Sequence, residues 1–289
     1  MKIAFKIVTY IFAFIGFILV AVYAAEELGL TKTPGIIDGQ HDFFKDQVKN
    51  ALNSTSSAAQ ASATNYADPN NFAWRNTPEW RTLEIAIIKD TDSINRAAED
   101  SGVPARLIVA PLVVEQLRLF HDNREIFKSI FAPLKILGNQ SQFSWGVMGI
   151  KQDTAIEIEQ NLNNSLSAFY PGPAYEHMLD YPATTSSADI GAARFARLTN
   201  ENNRYYSYLY AGLYIRELET QWKNAGFPID RQPAIVATLY NIGFGNSHPN
   251  ALPHAGGAEI YIGTSTYSFG GLAESFYYSD ALAAEFPAP

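Results

Sequence analysis

Near its amino end the chain carries an uncharged run, Ile7 to Ala25, with Lys2 and Lys6 before it and Glu26 and Glu27 after it. A helix of that length crosses about 30 Å of hydrocarbon, and basic residues ahead of it predict that this end stays in the cytoplasm while the rest is exported. Val22-Tyr23-Ala24 also looks like a small-residue cleavage site, so residues 1–25 read as a signal anchor or a removed signal peptide. From Leu28 to Asn76 neither a helical nor a strand period is sustained, and Asn53 to Asn65 is rich in Ser, Ala and Thr. This predicts a flexible tether over 26–76, with a short helix around Phe43 to Leu52.

Regular patterning begins at Thr77-Pro78, an N-cap residue followed by proline at the first helical position. Leu83, Ile85, Ile87, Ile88 and Ile94 then give one helical stripe up to Ala98, closed by Gly102. A second helix is predicted from Pro104 to His121 and is apolar nearly all round, which places it in the centre of a fold. Pro111 inside it costs about 3 kcal/mol unless the helix kinks there. Further helices are predicted over Asp153–Asn161, Ser187–Leu198, Tyr205–Asn224 and Gln232–Tyr240. The third of these turns Tyr208, Ala211, Leu213, Ile215, Leu218 and Trp222 inward. Glycine-rich turns then separate short aromatic pieces, Ala258–Ile262 and Tyr267–Phe269, that read as strands. With no internal repeat, the pattern describes one mainly α domain over 77–289 with a few short strands or irregular loops, preceded by an N-terminal membrane helix.

Composition narrows the chemistry. The net charge is -8 and no basic run is present, which argues against nucleic acid as a partner. Cysteine is absent, so disulfides, thiolate metal sites and a Cys nucleophile are excluded; a cysteine-free exported chain suits a bacterial envelope. The five histidines include no i, i+4 pair, and no Walker loop, dinucleotide fingerprint, Gly-x-Ser-x-Gly elbow or Ser-x-x-Lys motif occurs, so neither metal nor cofactor is called for. Of the 16 Tyr, 18 Phe and 4 Trp, the loop aromatics Trp145, Phe244, Tyr261, Tyr267 and Phe269 are candidates for stacking on a flat ligand as well as for packing.

One acidic side chain, Glu115, lies within the apolar part of the central helix. A carboxylate in such surroundings is costly to ionise, and a general acid that works near neutral pH requires that cost. The competing reading is a structural glutamate at the edge of the apolar face, bonded to Arg118 or Arg124.

Around Glu115 the sequence resembles the lytic transglycosylases that share the goose-type lysozyme fold. Their first motif is a Gly-Val-Pro turn followed by an apolar helix with the catalytic glutamate, and here Gly102-Val103-Pro104 leads to Glu115. The second is matched by SWGVMGIKQDTA, with Gly146, Met148, Ile150, Thr154 and Ala155 in register. The third, Tyr-Asn-x-Gly, is matched by Tyr240, Asn241 and Gly243 within AIVATLYNIGFGN. The departures are Gln116, where the family has serine, Gly149, where it has a sugar-binding glutamine, and a longer segment around HDNREIFKSIFAPLKI. The FGGLAESFYYS stretch lies beyond the resemblance.

The resemblance implies a lysozyme-like domain that cuts peptidoglycan glycan strands between N-acetylmuramic acid and N-acetylglucosamine, leaving 1,6-anhydro ends. Glu115 would be the single acid and base. Tyr240 would position the glutamate and the sugar, Asn241 would orient the loop and an acetamido group, and Gly243 would allow close approach of the backbone. Ser144, Gly146 and Met148 would line the opposite wall of the cleft. A true hydrolase of muramidase type would need a second carboxylate, for which Asp122, Glu125 and Asp153 are nearest in sequence. A relative that binds glycan or acts as a scaffold without turnover is the other alternative. The expected setting is the periplasmic side of the inner membrane, or the periplasm after signal cleavage, with the membrane, the glycan and an unidentified envelope machine as partners.

Overall fold

The computed structural model describes residues 72–122, 144–186, 189–200, 202–262 and 264–289. The run Ile7–Ala25, the expected helix at Phe43 to Leu52 and most of the long segment after the central helix lie outside the described residues. Among the described residues no helix is long and apolar enough to cross a membrane. The described part is mainly helical, with two short antiparallel strand pairs.

Helix α1 spans Pro78–Lys89 and α2 spans Thr91–Ser101. Thr77 caps α1 as expected, its hydroxyl accepting from the Trp80 N–H at 3.1 Å. The single helix expected here is broken at Asp90, whose carboxylate accepts from Arg204 at 3.0 Å and from the Tyr208 hydroxyl. An aspartate followed by Thr, Asp and Ser has the chemistry of a cap, and here it serves as a joint. The break also corrects the stripe: α1 buries Trp80, Leu83 and Ile87, while Ile85 and Ile88 face outward at 58% and 44% exposure. Ahead of α1, Trp74, placed in the expected tether, is fully buried and donates from Nε1 to Ser275 Oγ at 3.0 Å.

Helix α3, Ala105–Asp122, continues through Pro111 and is buried on all sides from Leu107 to Leu117, with Glu115 included and Gln116 partly exposed. It packs against α1, α2 and three later helices. Arg106, at its start, is buried and donates to five carbonyls, those of Phe276, Tyr277, Ser279, Ala281 and Phe286, at 2.6–3.1 Å. That one guanidinium holds the C-terminal segment folded back on α3, using donors that point as a planar fork.

Strands β1, Ser144–Trp145, and β2, Ile150–Lys151, form a two-residue ladder closed by the turn 146–149. Then follow α4, Gln152–Leu162, α5, Ile190–Thr199, α6, Tyr205–Asn224, and α7, Pro233–Ile242. The six inward residues expected on α6 are all buried, and the helix is enclosed further than they imply, since Tyr210, Tyr214, Glu217 and Glu219 are buried too.

After α7, β3, Glu259–Ile262, pairs with β4, Ser265–Ser268. The strand expected at Tyr267–Phe269 ends at Ser268, because Phe269–Tyr277 is helix α8, capped by the Ser268 hydroxyl on the Gly271 N–H at 3.1 Å. The glycines there do not mark a turn. Gly270 sits where a Cβ would press on Thr238 Oγ1 and the Ala234 carbonyl, so it lets α8 lie close on α7.

Candidate functional site

Glu115 stands on the enclosed part of α3 with its residue 4% exposed. One turn later Arg118 turns back to it, Nη2 donating to Glu115 Oε2 at 2.5 Å, with the two side chains 8% and 6% exposed. The guanidinium supplies the opposite charge that a buried carboxylate needs. This is the partner named in the structural reading of Glu115.

The turn 146–149 lies against that carboxylate. Gly149 has φ +64°, and a Cβ there would fall 2.8 Å from both Cδ and Oε2 of Glu115. The position where the resemblance expects a sugar-binding glutamine therefore has no room for a side chain. Beside it, Gln116 donates from Nε2 to the Val147 carbonyl at 2.6 Å, which ties the turn to α3. On its other side the turn rests on α5: a Cβ on Gly146 would run into the Leu198 carbonyl. Met148 is fully buried in the hydrophobic core, so its side chain faces no cleft, and Ser144 is placed by its pairing with Lys151.

Tyr240 comes from α7 and closes the group. Its hydroxyl donates to the Met148 carbonyl at 2.7 Å, and its ring lies 5.0 Å from that of Tyr214. Burial pushes the phenol well above its ordinary range, and the charges of Glu115 and Tyr214 push the same way. Tyr240 thus stays a protonated donor beside Glu115. Tyr214 continues the aromatic contact to Phe244 at 4.5 Å, and Phe244 meets Phe169 at 4.7 Å.

The other predicted residues have clear structural duties. Asn241 Oδ1 accepts from the Ala258 N–H at 2.9 Å, so it orders the loop ahead of β3, with Gly257 packed against its carboxamide. Gly243 ends α7 at φ +90°, ψ 164°, and has open space where a Cβ would stand. Trp145, Phe244 and Phe269, three of the five aromatics considered for stacking, are core residues; Tyr267 is half-buried and Tyr261 is 60% exposed. Asp153 is exposed on α4, and Asp122 and Glu125 carry no described side chain.

Besides Arg194, which pairs with Glu159, three buried charged groups in the described region were not singled out by sequence. Glu217 is fully buried and its carboxyl is raised well above the ordinary range by burial; it receives one hydrogen bond, from Asn161 Nδ2 at 3.2 Å. Burial also raises Glu219 to about 7, against the pull of Arg216 at 3.3 Å. The third is Arg106. Two glutamates in a helix whose every face carries aromatic or aliphatic residues were the available signal for the first pair. Among the described residues no cluster of three or more His, Asp or Glu could hold a metal. An open depression of about 490 Å³ is lined by Arg75, Asn76, Trp80, Arg81, Glu84 and Asp280 and shares no residue with the Glu115 group.

No family model, no curated protein and no solved structure matches this chain.

Proposed function

We propose that the protein is a peptidoglycan lytic transglycosylase with a lysozyme-like domain, acting on the glycan from the periplasmic side of the bacterial inner membrane. It would be tethered or exported through residues 1–25 and serve wall turnover or an envelope machine. The observation that carries this reading is the meeting of three separated segments at one carboxylate. Glu115 on α3, Gly149 in the turn 146–149 and Tyr240 on α7 are drawn together by the Gln116 and Tyr240 hydrogen bonds to that turn. These are the segments that carry the three motifs of the resemblance, and their convergence does not follow from any one of them.

On this reading Glu115 gives its proton to the glycosidic oxygen as the bond from C1 of the muramoyl residue breaks. The resulting carboxylate then takes the proton of the muramoyl 6-hydroxyl as O6 closes onto C1. One C–O bond is lost and one formed, no water is consumed, and the acid is restored. Tyr240 holds the turn in register with the acid. The glutamine subsite of the family is replaced by a bare backbone at Gly149, so the sugar is held there by other groups.

The ion pair to Arg118 favours a second reading, a glycan-binding or scaffolding relative without turnover, because it satisfies Glu115 with no ligand present. Digestion of purified sacculi with the full chain, followed by weighing of the released fragments, separates them. Ends lighter by one water support the transglycosylase, ordinary reducing ends point to a hydrolase, and binding without release leaves the scaffold. Glu115→Gln keeps an oxygen that accepts from Arg118 but has no acid proton, so the variant is expected to melt as a folded protein and release no anhydro ends.

A further inference from the structure

We infer that Arg118 is the positioning residue of Glu115, and that it divides the carboxylate into a held oxygen, Oε2, and a proton-transferring oxygen, Oε1. The inference rests on the transglycosylase reading and goes beyond it, since the family resemblance assigns nothing to position 118.

The buried arginines of this fold are used in two ways. Arg106 spends its guanidinium on five backbone carbonyls, and Arg194 meets Glu159 with two parallel bonds, Nε to Oε1 at 2.8 Å and Nη2 to Oε2 at 2.6 Å. Tyr210 and Tyr181 add hydroxyls to the same Glu159 oxygen. Those are stapling arrangements, with both carboxylate oxygens or all available carbonyls engaged. Arg118 is different. It makes one bond, to Oε2, and its Nε is buried without a partner. A buried donor left unmet costs about 1–3 kcal/mol, so the side chain is poorly explained as a staple.

The other side of the carboxylate agrees with this division. Gly149 crowds Oε2 and Cδ, the same oxygen that Arg118 holds. Among the described residues no hydrogen bond reaches Oε1. A carboxylate fixed at one oxygen and free at the other presents a defined lone pair for proton transfer. The fixed positive charge also stabilises the anion that exists between the two proton transfers. Among the described residues, the groups facing Glu115 are Arg118 from α3 and the neutral phenol of Tyr240 from α7, while the turn 146–149 offers backbone at Gly149.

The test compares full-length wild type, Arg118→Gln, Arg118→Lys and Glu115→Gln on sacculi. It reads kcat, KM and the pH–rate profile from anhydro-ended products, and thermal melting from each protein. Loss of alignment by a fraction of an ångström to an ångström predicts a fall in kcat of about ten- to a hundredfold in Arg118→Gln, with KM within twofold of wild type. Removal of the positive charge displaces the alkaline limb of its pH profile upward. Arg118→Lys keeps the charge and restores the wild-type position of that limb, with kcat between the two. A purely structural arginine would lower melting and leave the limb in place. Wild-type kcat and profile in a folded Arg118→Gln, or an unmoved limb in both variants, overturns the inference alone. Wild type that yields no anhydro ends overturns the transglycosylase reading and this inference with it. Should Arg118→Gln not fold, Arg118→Lys decides: kcat equal to wild type is then the refuting result.

Discussion

Replacing Gly149 by alanine tests the contact on which the whole site depends. Two costs are expected. The backbone at φ +64° is left-handed, which charges a residue with a Cβ about 1–2 kcal/mol. The added methyl then lies 2.8 Å from Glu115 Cδ and Oε2, so the carboxylate must retreat by roughly half an ångström or more. That retreat cannot leave the 2.5 Å bond to Arg118 intact, and a weakened buried ion pair together with overpacking adds about 1–3 kcal/mol. The total is about 2–5 kcal/mol, read as the change in unfolding free energy in urea. Gly226→Ala is the control, because Gly226 also has positive φ, +87°, but has open space where its Cβ would stand. It should show the backbone cost alone. A Gly149→Ala loss within about 0.5 kcal/mol of the control, the usual size of a neutral surface change, would refute the placement of Glu115 against the turn. On the transglycosylase proposal, glycan cleavage should fall in the same variant, since Glu115 would have moved by the distance that sets proton transfer.

Two further outcomes follow from the buried charges. Arg106→Lys leaves three donors for five buried carbonyls, and each of the two orphaned acceptors costs about 1–3 kcal/mol, so a loss of about 2–6 kcal/mol in urea and early proteolysis after Tyr277 in limited digestion are expected. Glu217 keeps its proton in the fold while the unfolded chain releases it near the usual carboxyl value, so its stabilising effect is complete at low pH and declines as pH rises from about 4.5 toward the raised folded value. Glu217→Gln should therefore match wild type near pH 4 and exceed it increasingly above, by up to about 1.4 kcal/mol per pH unit, in urea titrations between pH 4 and 8. Glu219, raised to about 7, adds its own slope between about 4.5 and 7 in both proteins. Parallel stability curves for the two would contradict a protonated Glu217.

The central helix was legible because its sequence is apolar on every face, a pattern that only a buried helix tolerates, and the one carboxylate in that stretch stood out by contrast. The break at Asp90 was harder to read. Ile85, Ile87 and Ile88 continue a helical stripe, while the Asp90 carboxylate makes no capping bond and is held instead by Arg204 and Tyr208, more than a hundred residues later. Helix α8 was hidden for a related reason. Gly270 reads locally as a turn residue, and its true use is steric, set by Thr238 and Ala234 on a helix far away in sequence. At the site, helical periodicity alone brings Arg118 to the face of Glu115. That Gly149 and Tyr240 would join them depends on loop and helix packing that no local pattern encodes.

Two of the departures from the family pattern, Gln116 and Gly149, fall on the same turn and are best understood together. A side chain at 149 would have to displace the Glu115 carboxylate, so an amide there comes only at the expense of that contact. The amide is instead carried by the helix, and Gln116 uses it to hold the Val147 carbonyl two residues before Gly149. Serine at 116 would be too short to make the bond that Gln116 makes across this gap, so restoring the family residue there loosens the turn without recovering a sugar contact. Restoring glutamine at 149 introduces the same Cβ as alanine and displaces the acid. Neither reversal works singly, because Gln116 holds the turn and the Glu115 carboxylate occupies the space that a side chain at 149 would take. What distinguishes this site from the pattern it resembles is thus one coupled change: the amide has moved from the turn to the helix that carries Glu115, where it holds the turn.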